Sequence, residues 1–408
     1  MSVFETDDHR SFREDVRDFA ASEVTPYVSQ METSAHIDTE VSSWIVAQGW
    51  LGLTIPRKYG GIGAGHLTKT IAIEEISRVS AAMGAMLQAS QLGASMIIHY
   101  GTEEQKQEWL PQIATGECLP TIAVTEAESG GHVAGMQATA RRDGDHYILN
   151  GHKVYVGNSH IGHVHGVVAR TGDAGTRPSE RLSAFLVEAD RPGVRCVPYQ
   201  STWGLHGFSF GDLVFDNVRV PAGNRLGDEG EGLDVAYSSS ILYGRPNLTA
   251  VALGILQATA DATVPFTKER HRYGEPLAHH PVIGQRIGRL EHRLRTARTL
   301  AYQAVHMLDH GLACDNELIN AKYYTVEAAL DATRDAVRIH GGAGLRTDRP
   351  VGRYYRDAIH VDAPAGTAEI QLHRLAETAL DINRGQWSER LAHLTALPPP
   401  ATANENAA

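Results

Sequence analysis

The sequence predicts an α+β fold in three consecutive parts: a helical region, a β-rich region and a second helical region. Three observations carry this. Phe12, Val16, Phe19 and Ala20 recur at helical spacing near the start of the chain. From about residue 120, short β-rich runs follow one another, punctuated by Asp143-Gly144 and Asn150-Gly151, both strong turn signals. From Gly232 the helical period returns, and Val251, Ile255, Leu256, Thr259 and Ala262 mark one face.

The first part, residues 1–119, reads as an N-terminal helical domain. Its first helix is expected to stop at Thr25-Pro26, because proline disfavours a helical residue before it. "TKTIAIEEISRVS" and "QASQLGASMIIHY" supply two more helices, and "RKYGGIGAGHL" reads as the glycine-rich loop before them. The second part, residues 120–232, takes its strands from "DGDHYILNGHKVYVG", "GVVAR", "LSAFLVEA", "GVRCVPY" and "GDLVFDNVRV". The third part, residues 233–386, opens on a helix with Pro246 in its first turn. It continues with the stripe Leu290, Leu294, Ala297, Ala301, Ala304 and Leu308, and with a helix ending at Gly341-Gly342, as a C-cap would. Residues 387–408 end in "LPPPATANENAA", a Pro/Ala-rich composition that predicts a partly disordered tail.

Whole-chain properties exclude several classes. A net charge of −11 offers nothing to nucleic acid. Cys118, Cys196 and Cys314 are odd in number and far apart, which speaks against a disulfide framework and for a reducing cytoplasm. No basic flank followed by an apolar run opens the chain, and no apolar run is long enough to span a bilayer.

Four motifs resemble chemistry and read better as structure. "GFSFG", Gly207 to Gly211, has the spacing of a serine nucleophile elbow, but a strand follows it where a helix is needed. "GGIGAG", Gly60 to Gly65, spaces its glycines wrongly for a dinucleotide fold. His160, His163 and His165 lack an acidic or cysteine partner nearby, so no metal is expected. "GRLEHRLRTAR" carries an apolar stripe, which suits a solvated or interface helix rather than a nucleic-acid face.

"AVTEAESGGHVAG", "DGDHYILNGHKVYVGN", "LVFDNVRVPAGNRLGDEGEG", "TKERHRYGEPL", "DAVRIHGGAGLRTDRPVGRYYRDA" and "GTAEIQ" occur in this order, and together they resemble the acyl-CoA dehydrogenase superfamily up to about residue 385. The resemblance implies an N-terminal helical domain, a middle β-barrel-like domain and a C-terminal four-helix bundle. It implies FAD, bound between the middle domain and the C-terminal helices, with a second subunit of a homodimer or homotetramer closing the site. Carried over by position, Val124 and Thr125 would meet the pyrimidine edge of the flavin, and Tyr155 and Val156 would flank the ring. Arg270 and Arg272 would approach the diphosphate, where forked guanidinium donors suit a buried anion. Gly341 and Gly342 would let the chain come close to the cofactor, and Thr367 and Glu369 match positions near it.

The departures from the family pattern bear on the reaction. Most members keep a glutamate before the "GT" pair, which removes the proton α to a thioester; here the residue is Ala365. Some relatives carry the glutamate before an arginine that matches Arg245; here it is Gly244. Asp362 is the carboxylate nearest in sequence. Gly131-His132 replace a Ser-Asp pair that touches the CoA part of the substrate, and Leu242 replaces an aspartate that helps bind CoA. Gly157 replaces a threonine near flavin N5, which would leave space there.

An FAD-dependent oxidoreductase without its usual base is therefore expected. Its substrate would be an unusual acyl or β-keto acid from a biosynthetic pathway, free or carried by an acyl carrier protein. Loss of CO2 would supply the carbanion that a base otherwise generates. Hydride return to an alkene and oxygenation by reduced flavin are the other routes that need no base. Arg245 is the candidate catalytic residue, facing a substrate carboxylate or enolate. An acyl-CoA or acyl-carrier-protein dehydrogenase with a relocated base, and a flavin-binding pseudoenzyme, are the alternatives.

Overall fold

The computed structural model describes residues 3–34, 36–172, 175–177, 180–382 and 385–398. Six helices come first: α1 (Asp7–Phe19), α2 (Val28–Ser34), α3 (Thr39–Ala47), α4 (Gly65–Val79), α5 (Ala81–Tyr100) and α6 (Glu103–Thr115). Thr6 caps α1 by accepting from the His9 backbone N–H. The chain does not leave helix at Thr25-Pro26. A π-helical turn at Ala20–Val24 and a 3-10 turn at Thr25–Tyr27 lead straight into α2. Pro26 sits in the first residues of that short turn, where its missing N–H has no partner to lose.

Eight strands follow: β1 (Pro120–Ala123), β2 (Thr139–Asp143), β3 (His146–Gly157), β4 (Val164–Arg170), β5 (Leu182–Glu188), β6 (Val194–Cys196), β7 (Phe210–Pro221) and β8 (Arg225–Leu226). They form one mixed sheet in the order β6-β7-β3-β2-β4-β5-β8, with β1 parallel to β4. Asp143-Gly144 makes the expected turn, with Gly144 at φ 62°. Asn150-Gly151 does not turn the chain. It lies inside β3 at a register irregularity opposite β7. A Cβ on Gly151 would stand 2.5 Å from Ala138 Cβ, so close packing against β2 is what requires glycine there. A second irregularity, between Lys153 and Val156, re-aims the end of β3. Tyr147, Leu149, Phe185, Leu213, Phe215 and Val220 form the buried core of the sheet.

The helices then resume. They are α7 (Gly232–Ser239) and α8 (Arg245–Glu269), a two-stranded ribbon of β9 (His271–Arg272) and β10 (Glu275–Pro276), then α9 (Pro281–Asp309), α10 (Asp315–His340), α11 (Val351–Asp362) and α12 (Ala368–Ala379). Two short helices, α13 (Trp387–Arg390) and α14 (Ala392–Thr395), occupy the start of the segment expected to be a tail; residues 399–408 lie outside the described residues. α8, α9 and α10 pack on one another, and α8 and α9 also pack on α4. A π-helical turn at Ser240–Gly244 joins α7 to α8. Such turns insert one extra residue into a helix and re-phase its two sides.

Two stretches are long and apolar enough to cross a membrane, α5 and Gly232–Glu269; 94% and 72% of their apolar windows are buried in this fold, as in core helices. Charge also crosses the core. Glu74 and Glu75 of α4 are bonded by Arg13 of α1, Glu75 by Arg17 at 2.8 Å, and Glu74 by Arg298 of α9 at 2.7 Å. Burial pushes the Glu74 carboxyl up, but Arg298 and Arg13 outweigh it and hold it at about 2. The cations of "GRLEHRLRTAR" are thus partly internal, and Arg293 pairs with Asp331 and Asp335 of α10.

Candidate active site

A cavity of about 1380 Å³ lies between the β3/β7 side of the sheet and the helices α5, α8, α10, α11 and α12. Of the residues predicted from sequence, Val124, Thr125, Tyr155, Gly157, Gly244, Arg245, Ala365 and Thr367 line it. Val156 points the other way, into the core of the sheet, as strand alternation requires. Glu369 is exposed and accepts from Thr367 Oγ1 at 2.7 Å. Arg270, Arg272, Gly341 and Gly342 lie outside the cavity and are exposed. They share one region of the surface, because Phe266 near the end of α8 stacks on His340 at the end of α10, with ring centroids 4.0 Å apart.

The second irregularity of β3 presents Tyr155 to the cavity. This residue takes φ 59°, is 65% exposed and stacks on Phe210 at 5.9 Å. Gly157 does not leave the open space expected of it. A Cβ there would stand 3.0 Å from Ala89 Cβ and 3.1 Å from Phe208 Cζ, so the Phe208 ring has taken the room. Gly131, in contrast, has nothing within 4 Å of where a side chain would begin. Leu242 is fully buried and does not line the cavity.

The two positions where a glutamate base would stand converge. A Cβ built on Gly244 would be 3.1 Å from Ala365 Cβ. One point of the cavity is thus approached from the π-helical turn and from the loop between α11 and α12, and neither supplies a carboxylate. Ala365 takes φ 55°, a left-handed conformation costly for a residue with a Cβ. The loop is held from beneath. Lys322 Nζ donates to the carbonyls of Asp362 at 2.9 Å and Pro364 at 2.6 Å, and also to that of Gly366. Gln371 Nε2 donates to Ala365 O at 3.0 Å and Gly366 O at 2.9 Å. Burial brings the Lys322 ammonium down to about 7, with Asp362 opposing and Arg245 adding to the shift.

Arg245 stands beside the vacant point. It is 5% exposed, and its Nε and Nη1 have no hydrogen-bond partner among the described residues. Burial pushes its guanidinium down to about 10, Asp315 draws it back, and Arg374 pushes it further down. A buried guanidinium with free donors is a site for an anion or a developing oxyanion. Asp362 does not line the cavity. The carboxylates that do are Asp315, Glu377 and Asp381. Asp315 accepts from the backbone N–H groups of Trp387 and Ser388, Glu377 pairs with Arg374 at 2.8 Å, and Asp381 is exposed.

Sequence reasoning missed His360, whose side chain lines the cavity edge-on to Phe210 at 4.9 Å. Its Nδ1 lies 3.4 Å from Gly204 O, and its Nε2 has no hydrogen-bond partner among the described residues. Burial lowers its pKa. Lys322 was missed too; a lone lysine on an amphipathic helix carries no signal of three carbonyls above it.

The other motifs are structural. "GFSFG" runs into β7 with no helix after it. His165 is buried with its Nδ1 2.8 Å from Thr121 Oγ1, His163 Nδ1 accepts from the Leu119 N–H, and His160 Nε2 lies 2.8 Å from Val197 O. No group of three or more His, Cys, Asp or Glu that could hold a metal ion occurs among the described residues.

The N-terminal, middle and C-terminal domains of acyl-CoA dehydrogenases match residues 6–117, 121–218 and 230–380. The chain belongs to the acyl-CoA dehydrogenase family. An acyl-CoA dehydrogenase of Bacillus subtilis is 35% identical over 367 residues, which is 90% of this chain and 96% of the relative. Among solved structures, the prolyl acyl carrier protein oxidase AnaB is similar with a TM-score of 0.87 at 26% identity, covering 92% of this chain and 99% of that one. A glutaryl-CoA dehydrogenase from Mycobacterium smegmatis, solved in complex with FADH2, has a TM-score of 0.86 at 26% identity over 93% of this chain and 96% of that one. An acyl-CoA dehydrogenase-like oxidoreductase is what these observations describe.

Proposed function

We propose that this protein is an FAD-dependent oxidoreductase of a biosynthetic pathway, acting on an acyl or β-keto acid that is free or carrier-bound. The reaction begins with decarboxylation rather than proton abstraction. The observation that carries this reading is the convergence of Gly244 and Ala365 on one point without a carboxylate, beside the unpartnered Arg245. The residues present fit FAD. The cavity is large, its sheet wall offers aromatic faces at Tyr155 and Phe210, and Val124 and Thr125 border it. Thr367 borders the same region, and Glu369 accepts from its hydroxyl. Arg270, Arg272, Gly341 and Gly342 form an exposed patch suited to the diphosphate held by a neighbouring subunit of a homodimer or homotetramer in the cytoplasm. When bound, FAD supplies a two-electron acceptor and, once reduced, a route to oxygen.

Arg245 pairs with the substrate carboxylate or with the enolate oxygen left after CO2 departs. Its two free donors and its burial make that interaction strong, because few waters compete. Lys322 keeps the Ala365 loop pressed to the cavity, so the substrate's α-carbon meets a methyl group instead of a base. Open space at Gly131 and the burial of Leu242 favour a substrate that does not rely on CoA contacts.

The test is anaerobic. A β-keto acid should remove the visible absorbance of the FAD-loaded protein and release CO2, whereas saturated acyl-CoA esters should leave the absorbance unchanged. Rapid loss of absorbance with a saturated acyl-CoA would refute the reading. It would favour the alternative, an acyl dehydrogenase with a relocated base, for which the free Nε2 of His360 is the specific support. A purified protein that takes up no FAD would instead be a pseudoenzyme.

A further inference from the structure

The family's C-terminal domain matches only to residue 380, yet the chain continues and folds back over the cavity. Gln386 and Trp387 line the cavity wall together with Asp315, Asn316 and Thr378. Asp315, the first residue of α10, holds this segment in place. Its carboxylate accepts from Trp387 N–H at 2.8 Å, Ser388 N–H at 2.9 Å and Ser388 Oγ at 2.6 Å. The contact is reciprocal: Cys314 N–H donates to Ser388 Oγ at 2.8 Å and Asp315 N–H to Gln386 Oε1 at 3.1 Å. Ser388 is fully buried as a result.

Two further ties fix the segment's direction. Arg390 lies over the Trp387 ring at 4.1 Å and reaches Asp234 of α7 at 3.3 Å. Leu397 N–H donates to Asp309 O at the end of α9. Residues 386–397 are therefore a strap across the N-terminus of α10, tied to α7 and to the end of α9, with Trp387 on the cavity wall.

We propose that Trp387 is a specificity-determining residue: it forms the end wall of the substrate cavity, set in place by the Asp315–Ser388 latch, and limits the length of the acyl group that fits. The geometry supports a wall rather than a surface ornament. A ring covered by a cation, on a backbone whose Trp387 and Ser388 N–H groups both go to one buried carboxylate, has few positions open to it. An indole presented in this way excludes methylenes that an open end would admit, and one methylene in an apolar site changes affinity by roughly ten-fold or more.

This inference rests on the reading of the cavity as an acyl site, and the experiment separates the two. Purified FAD-loaded protein is titrated with straight-chain carboxylates from butanoate to dodecanoate, and with the matching N-acetylcysteamine thioesters, following the visible absorption band. The wild type should show a sharp length limit. Trp387→Ala should move that limit to longer chains while FAD content stays unchanged. Ser388→Ala, which removes the hydroxyl's two bonds and loosens the latch without touching the ring, should blur it in the same direction, and Trp387→Phe should restore most of it if Trp387→Ala folds poorly. Binding with the same length profile in wild type and all variants overturns the role of Trp387 and leaves the acyl reading standing. Binding of no probe by any variant overturns the acyl reading, and the inference with it.

Discussion

At Ala365 a backbone shape usually reserved for glycine is held in place although the side chain it carries is only a methyl group. Lys322 is the reason the loop stays put. Replacing it with methionine leaves buried carbonyls without a donor, at about 1–3 kcal/mol for such a group. We expect Lys322→Met to lower the unfolding free energy by on the order of 2–4 kcal/mol, measured by urea denaturation of the FAD-loaded protein. Ala365→Glu places a carboxylate at the point where Gly244 and Ala365 converge. A gain in the rate of absorbance loss with a saturated acyl thioester is expected, bounded by the roughly 10²–10⁴-fold typical of general-base catalysis. No gain would mean that the vacancy is not where the α-proton lies. What sequence reading could see at this scale was chemical identity: the missing glutamate, Arg245, the Gly131-His132 change. It could not see that Phe208 fills the room beside Gly157, because the two are distant in sequence and meet only through the β3/β7 pairing.

Elements announce themselves when they are long and periodic. α4, α5, α8, α9 and α10 all follow apolar stripes visible in the chain, and the strands of the middle domain follow the short β-rich runs. The Asn150-Gly151 bulge did not, since the same dipeptide serves a turn or an irregular strand and only the approach of Ala138 decides. Nor did α13 and α14: helices of four residues have no period, and α13 is held by bonds from Trp387 and Ser388 to Asp315, a residue distant in sequence. Within the sheet, β4 carries a further consequence. Burial pushes the His165 imidazole down to about 4, with His163 adding to the shift. Between pH 6.5 and 4 the unfolded chain then binds a proton that the folded chain refuses, so stability falls as the pH drops through that window. The effect is on the order of 2–3 kcal/mol at full extent. We expect His165→Gln to flatten the fall of Tm with acid. Asp309 and Asp357, which burial raises to about 6, act in the opposite sense, so the comparison with the variant isolates the imidazole.

For the molecule as a whole, the cavity and the exposed patch of Arg270, Gly341 and Gly342 are separate features of one chain. If a second subunit brings that patch to the cofactor, light scattering should show at least a dimer, and a single-chain mass with full FAD occupancy would contradict it. Arg270→Ala should then weaken FAD binding by about 1.5–3 kcal/mol, roughly ten-fold to over a hundred-fold. An unchanged FAD titration would mark Arg270 as a surface charge. The sequence motifs pointed to this patch through family pattern alone; no periodicity or composition distinguishes it from ordinary surface.

The π-helical turn at Ser240–Gly244 works as a phase corrector. Ala236, Ser240, Gly244 and Leu248 all face the cavity, stepping by four along the chain. In an unbroken α-helix such a step drifts by about 40° each time, and the series would wind away from the cavity within three steps. The wider turn absorbs the drift. Five residues of such a turn wind through about the same angle as four α-helical residues, so deleting Ile241 and closing the helix into regular winding would leave α7 and α8 nearly in phase. One missing codon would thus leave Ala236 and Leu248 on the cavity wall and every helix intact, and would remove only the widened turn whose Gly244 stands against Ala365.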